Sequence, residues 1–581
     1  MPLASFEAKL RNFLLKTGLA DVMEKTGLAG PLNATWNFIR RPKLLVDQID
    51  ILRDYRSFKQ SYSFLAEGSR LVHPDKKVLV VSLTDWVAQV KMESILAKAL
   101  QLRGYTPVIV TNRSCKRAIK YFKVCGYDQF VFLDEMLGRI PLRPIIEEAQ
   151  AILNDSPSFH SLLDLKYHGV DVGRHVLSSI VRTLRHGSVE FSDPQVMNLL
   201  RRGIPRSMQL SLAVELIFDS LRPQMVLFLE KGYTPYGEMF DVAINREVNT
   251  IQFLHSHRSD ALVLKRYTQK NRHIHPFSLS PESMKLIEQM PWTAQRESEL
   301  MQELRGRYEE GTWFNRKYLQ VGKKLKNAAE IREQLGLDPG KKTAVIFSHV
   351  LWDATFFFGE NLFEDYEQWL IETVKVASGN RAVNWVIKIH PDYVWKMKQL
   401  GDSARPRDLI ALGAKIGELP KHIKILMPET DISTISVFDV TDYCLTVRGT
   451  VGIEMPCFGI PVFTAGTGRY SGLGFTIDSN SREEYLAKLQ RIQDFPRLTE
   501  EQTLLARKHA YTLFRLRPFV FKTFEMVQMP LDRLGHPLDH NVVIRANSSQ
   551  DIANAPDLKS FADWATNSNQ PDFLMPFAED V

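Results

Sequence analysis

Short apolar runs bounded by polar turns recur along most of this chain, with helical spacing between them. Lys77-Val-Leu-Val-Val-Ser-Leu83 is the first run, and a helical stretch leads from it to Gly104. Pro107-Val-Ile-Val110 and Phe130-Val-Phe-Leu133 follow, and after a helical insertion over about 140–220 come Met225-Val-Leu-Phe-Leu229 and Thr250-Ile-Gln-Phe-Leu254. A second series opens at Thr343-Ala-Val-Ile-Phe347 and continues through 383–389, Ile423-Lys-Ile-Leu426, 442–447 and Pro461-Val-Phe463. Apolar strands of this length alternating with helices make βαβ units, whose strands lie parallel in a sheet covered on both faces. The pattern predicts an α/β chain with two parallel-sheet domains of the Rossmann-like kind.

Outside these series the pattern is helical or lost. Residues 1–70 read as a helical N-terminal extension, with Phe6, Leu10, Phe13 and Leu14 at helical spacing and Lys9, Arg11 and Lys16 between them. Such a basic amphipathic start either packs on its own domain or lies on an anionic membrane surface. Residues 262–335 read as charged and helical, and 482–530 as helical again. The expected organisation is therefore an extension over 1–70, an α/β domain over 71–270 carrying the insertion, and a helical linker over 271–340. A second α/β domain over 341–495, closing helices over 496–535 and a polar tail over 536–581 complete it.

Composition narrows the picture in three ways. A chain of 581 residues exceeds what one core serves, which agrees with two or three domains. The net charge of +7 is spread along the chain, favouring anionic small molecules or acidic lipid over nucleic acid. Cys115, Cys125, Cys444 and Cys457 lack metal-site spacing and read as buried thiols in a reducing cytosol. No run reaches the ~18 apolar residues of a membrane span, and the start lacks the apolar core of a signal peptide. A cytoplasmic protein is expected, peripheral at the inner face of the membrane if the basic start binds lipid.

Candidate chemistry sits at the strand ends, where open α/β sheets bind ligands. Asn384-Trp-Val-Ile-Lys-Ile-His390-Pro391 is a strand stopped by Pro391, which holds His390 at its end to donate to or protonate a departing phosphate. In Arg448-Gly449-Thr450-Val-Gly452-Ile-Glu454-Met-Pro456 a strand turns into a helix. Unpaired N–H groups at that helix start suit a phosphate, and Gly449 and Gly452 clear space for it. Pro456 and Gly459 predict that the helix is short. Ser348 and His349, with Trp352 and Asp353, follow the first strand of the second series and are expected to face the same cleft. The glycine-rich run after Pro461 carries Arg469, a cation for a phosphate. No Asp-x-Asp occurs in the sequence, so no metal and no other cofactor is expected. In the first series, Asp85 and Glu238 are candidate bases for an acceptor hydroxyl, and His257 and Arg258 candidates for binding an acidic acceptor.

Gly449, Glu454, Pro456, Gly459 and Pro461 resemble the Gly-Gly-x-x-x-Glu-x-Pro-x-x-Gly-x-Pro run of UDP-N-acetylglucosamine 2-epimerases and related GT-B enzymes, with Thr450 in place of the second glycine. The resemblance implies that Glu454 holds ribose hydroxyls. The His-Pro pair resembles the short motif of bacterial sialyltransferases, polysialyltransferases and capsule Kdo transferases, all users of CMP-sugars. Taken together, residues 340–490 are similar to bacterial capsule or surface polysaccharide biosynthesis proteins. That implies a GT-B-like fold with two Rossmann-like domains facing a cleft, and a metal-independent glycosyltransferase. Its donor would be a CMP- or UDP-sugar and its acceptor a polysaccharide or glycolipid. Thr441-Asp442-Tyr443 is also similar to a motif of CDP-glycerol glycerophosphotransferases, although Cys444-Leu445 replaces the Ser-Ser expected there. A third reading is a catalytically silent nucleotide-sugar-binding scaffold of a capsule assembly complex.

Overall fold

The computed structural model describes residues 43–67, 73–155, 158–393, 406–528 and 540–576. The basic amphipathic positions Phe6 to Lys16 lie outside them. The chain divides into two compact units, one holding the described residues before Gly68 with Val124–Gly126, the other the remainder. In the first unit a helix, Lys43–Tyr62, runs into a 3₁₀ turn, Ser63–Ala66. Everything below concerns the second unit.

Two sheets organise it. The first contains β1 (Lys77–Val81), β2 (Thr106–Thr111), β3 (Phe130–Phe132), β4 (Met225–Phe228) and β5 (Asn249–His255) in the parallel order β3-β2-β1-β4-β5. The second contains β7 (Thr343–Phe347), β8 (Asn384–Lys388), β9 (Ile423–Leu426), β10 (Tyr443–Thr446) and β11 (Val462–Thr464), all parallel, in the order β11-β10-β7-β8-β9. Both therefore share one doubly wound order, with the chain reversing direction between β1 and β4 and between β7 and β10. Such switch points open a crevice beyond the strands' carboxyl ends. The strands are apolar on both faces: Ala344, Val345 and Ile346 of β7 and Trp385 of β8 have no exposed surface. Helices on either side of a parallel sheet require this. One apolar core runs through both halves, with Phe159 of the insertion against Phe356 beyond β7, ring centres 5.6 Å apart.

The structure departs from the periodicity in two places. The stretch 262–335, read as charged and helical, begins in a strand, β6 (Ala261–Tyr267), antiparallel to β5. Lys265 and Arg266 disguise it, because both charges are buried. Lys265 donates to Asp572 (2.7 Å), and Arg266 donates to the carbonyls of Trp564 (2.8 Å) and Gln570 (2.8 Å). The closing segment is helical only to Leu516. Beyond it β12 (Phe519–Val520) adds to the edge of the first sheet beside β6, and β13 (Phe524–Gln528) pairs with β14 (His540–Ile544) as a hairpin. The tail read as polar also holds a helix, Pro556–Asn567, that buries Leu558, Phe561 and Ala565. Asp572 follows, fully buried against Lys265 and Arg517 and accepting from Ser280 N–H.

Candidate active site

A cleft of about 330 Å³ lies over the carboxyl ends of β7, β8 and β10. The first half and the closing helices contribute His255, His257, His275, Leu513 and Phe514 to its wall. Ser348, His349, Lys388, His390, Gly449, Thr450 and Arg469 come from the second half. Arg307, Arg316 and Lys323 enter from the connecting segment. Five Arg or Lys side chains and five His thus border the cleft, and no Asp or Glu does. Such a wall has one electrostatic preference, for anions.

Each strand end is pinned before it presents its group. After β7, Ser348 Oγ accepts the backbone N–H of His390 (2.9 Å), fixing the end of β8 beside β7. His390 Nδ1 accepts the N–H of Asp392 (3.2 Å), so the neutral ring carries its proton on Nε2, as a donor must. His349 Nε2 accepts the N–H of Val447 (3.1 Å) and stacks on Tyr366, ring centres 4.5 Å apart. Burial, with His390, Arg448 and Arg469 nearby, pushes His349 well below the usual imidazole value. It is a neutral bridge between β7 and β10.

The turn after β10 is equally constrained. Thr446 Oγ1 accepts from Gly449 N–H (3.1 Å), and the helix Val451–Glu454 with its 3₁₀ extension Met455–Phe458 ends at Gly459, whose φ is +72°. A side chain at Gly452 would sit 2.0 Å from the Tyr470 hydroxyl, which donates to Gly449 O (2.8 Å). Arg469 donates to Arg448 O (2.8 Å), and burial lowers its guanidinium to about 10.

Lys388 stands apart among these cations. Arg307 pairs with Glu454, and Arg316 lies 3.5 Å from Asp392. Lys323 donates to Pro428 O (2.7 Å). Lys388 is buried on β8 and has no ion-pair partner among the described residues; burial, then Lys323 and Arg307, lowers its ammonium to about 7. A buried cation facing open volume without a counter-charge is stabilised by an anion arriving from outside.

Several expected residues lie elsewhere. Glu454 is fully buried one layer behind the cleft, its carboxylate held by Arg307 and by the Tyr308 hydroxyl (2.7 Å). Its carboxylate is thus engaged by two residues that themselves border the cleft. Arg448 is buried too, donating to Asn361 Oδ1 (2.7 Å), Glu360 O and the Tyr366 hydroxyl, which ties the turn to the loop after β7. Gly452 packs on Tyr470 and does not border the cleft. Neither candidate base does so. Asp85 accepts the N–H groups of Arg117 and Ala118 (3.0 Å each) at the start of the helix Lys116–Val124 that follows β2, and Glu238 is buried, accepting from Ser207 and Thr234 hydroxyls. Arg258 pairs with Asp260 (2.9 Å). Trp352 packs on Tyr393, and Asp353 accepts from the Tyr233 hydroxyl (3.2 Å).

The periodicity passed over a His–carboxylate pair. His257 Nε2 lies 3.1 Å from Glu303 Oε1, and its ring rests on Trp313 at 4.8 Å. Burial alone would raise Glu303, but His257 and Trp313, which donates to it (2.8 Å), hold it below the usual carboxylate value. The two atoms are close without hydrogen-bond alignment, and a carboxylate beside an imidazole is the pairing a general base uses once aligned. Sequence separation conceals it, since Glu303 sits on a helix read as linker. Lys388 was legible only as one more residue of an apolar strand.

No protein-family model matches the chain, and no curated protein matches it. Similar solved structures include KpsC, beta Kdo 2,4 transferase, of Thermosulfurimonas dismutans, at 15% identity over 54% of this chain and 84% of that one, with a TM-score of 0.29. UDP-GlcNAc 2-epimerase from Neisseria meningitidis, bound to UDP-GlcNAc, is similar at 12% identity over 75% and 95%, with a TM-score of 0.25. A glycosyltransferase from Rickettsia africae is similar at 8% identity over 76% and 94%, with a TM-score of 0.24. At such scores these likenesses assign nothing to individual residues, and the reading of the site rests on its own geometry.

Proposed function

We propose that the chain is a GT-B-like glycosyltransferase that moves a sugar from a CMP- or UDP-activated donor to a surface polysaccharide or glycolipid. The observation that carries this reading is the cleft at the β7/β10 switch point, bordered by ten basic side chains and no carboxylate. The resemblance of the His390-Pro391 and Arg448–Pro461 runs to polysaccharide biosynthesis proteins points the same way. In this account Lys388, Arg469 and the N–H groups after Gly449 bind the donor phosphate. As the bond between sugar and phosphate breaks, negative charge grows on the departing oxygen, and His390 Nε2–H meets it from a fixed position. The acceptor hydroxyl gives its proton to His257, with Glu303 beside it.

The test is steady-state transfer with a panel of CMP- and UDP-sugars. Removing one preorganised donor costs ~10²–10³ in rate. His390→Ala should lower kcat by that much with little change in donor KM. A variant that loses donor affinity while kcat holds would make His390 a binding residue instead. The absence of a carboxylate from the cleft wall also favours a second reading, a nucleotide-sugar-binding scaffold without turnover. Tight nucleotide binding without transfer to any acceptor would decide for it.

A further inference from the structure

The rim of the cleft carries a feature that donor binding does not use. After the 3₁₀ segment Phe314–Gln320, which contributes Leu319 and Gln320 to the cleft wall, the chain turns out into solvent. Val321 is 74% exposed and Leu325 59%, the two most exposed large apolar side chains among the described residues. Between them Gly322 has φ +78°, and a side chain there would meet nothing within 4 Å, so the turn faces solvent, while Lys324 N–H donates to Asp431 O (2.6 Å) and anchors the loop behind it. From Arg316 to Lys326 the sequence holds five cations and no acidic residue. Arg316 and Lys326 are paired with Asp392 and Asp431, and Lys323 is turned inward to carbonyls. Lys317 and Lys324 are exposed and have no ion-pair partner among the described residues.

We infer that the Val321–Leu325 loop docks on an anionic lipid surface, holding the mouth of the cleft against it. Two isolated apolar side chains on one turn are too little for a stable protein interface, which buries ~800 Å² per partner over a broad face. They match a lipid boundary, where apolar side chains enter among the acyl chains while flanking lysines meet phosphate headgroups. Docking itself is independent of the transferase reading. If that reading holds, the loop brings the cleft to a lipid-linked acceptor.

Co-sedimentation of the full chain with vesicles tests it, using phosphatidylcholine alone against phosphatidylcholine mixed with phosphatidylglycerol. The wild type should bind the anionic vesicles preferentially. Val321→Asp with Leu325→Asp should weaken binding about tenfold or more, and Lys317→Glu with Lys324→Glu should remove the preference for anionic lipid. All four positions are exposed, so nucleotide affinity should be unchanged; its absence in the wild type would count against the transferase reading alone. A solvent-sensitive fluorophore on Val321→Cys should shift to the blue on anionic vesicles, its labelling selective because the four native cysteines are buried. Undiminished binding by the double aspartate variant would overturn the inference. So would a label blind to vesicles, or a double aspartate variant that merely dissociates a dimer.

Discussion

Lys388 holds its charge at a cost that only a ligand offsets. Its ammonium titrates near 7 in place of 10.5, so the folding penalty is complete below about pH 7 and fades as pH rises toward 10.5. An arriving anion favours the protonated form, and binding above pH 7 takes up a proton. Nucleoside diphosphate affinity should therefore fall as pH rises above 7, by up to about tenfold per unit, where the nucleotide's own phosphates are already ionised. Calorimetry across pH should show this slope in the wild type and a flat profile in Lys388→Met, with Lys388→Arg retaining affinity. A slope unchanged in Lys388→Met would assign the proton to another group. Glu454 gives a different expectation. Because it anchors Arg307 and Tyr308, Glu454→Ala breaks a buried pair and should cost ~3–5 kcal/mol of stability in denaturant titrations. An affinity loss without a stability loss would return Glu454 to the ribose. Residue placements at the strand ends were legible where the group follows an apolar strand directly, as for His390 and Ser348. They were obscured where partners distant in sequence complete the arrangement, as for Glu454 with Arg307 or His257 with Glu303.

The turn from β10 into Val451–Glu454 is the element on which the site's geometry depends. Tyr470 lies where a Gly452 side chain would go, and the same hydroxyl holds Gly449. Gly452→Ala should cost ~1–3 kcal/mol by overpacking and weaken nucleotide binding as Tyr470 and its neighbour Arg469 shift. Thermal denaturation with and without nucleotide would measure both, and an alanine variant equal to wild type would mean the turn yields freely. Strands apolar on both faces announced themselves in the sequence, and so did the short helix ending at Gly459. β6 did not, since its Lys265 and Arg266 look solvated until Asp572 and the carbonyls around Trp564 are brought alongside. β13 and β14 stayed hidden because each exposes one face, and their pairing bridges a stretch with no apolar pattern.

Across the whole molecule, the C-terminal segment belongs to the first sheet rather than trailing from it. Lys265, Arg517 and Asp572 form a buried charge cluster joining β6 to Arg517 and to Asp572, the latter 307 positions later in the chain. These cations hold Asp572 well below the usual carboxylate range, so its contribution is present at neutral pH and lost in strong acid. Asp572→Ala leaves two buried cations uncompensated and should lower stability by ~3–5 kcal/mol, read as a fall in the denaturant midpoint. The second half faces a cleft completed by His255 and His257 of the first half and by the closing helices, and basic side chains but no carboxylate border it. That wall is the centre of the account. The most direct measurement is calorimetric titration of CMP, CDP, UDP and GDP into the wild type and into Lys388→Glu. At least one nucleotide should bind the wild type, with affinity falling as salt is raised, and none should bind Lys388→Glu. Equal binding to both proteins, or no binding to the folded wild type, would contradict it.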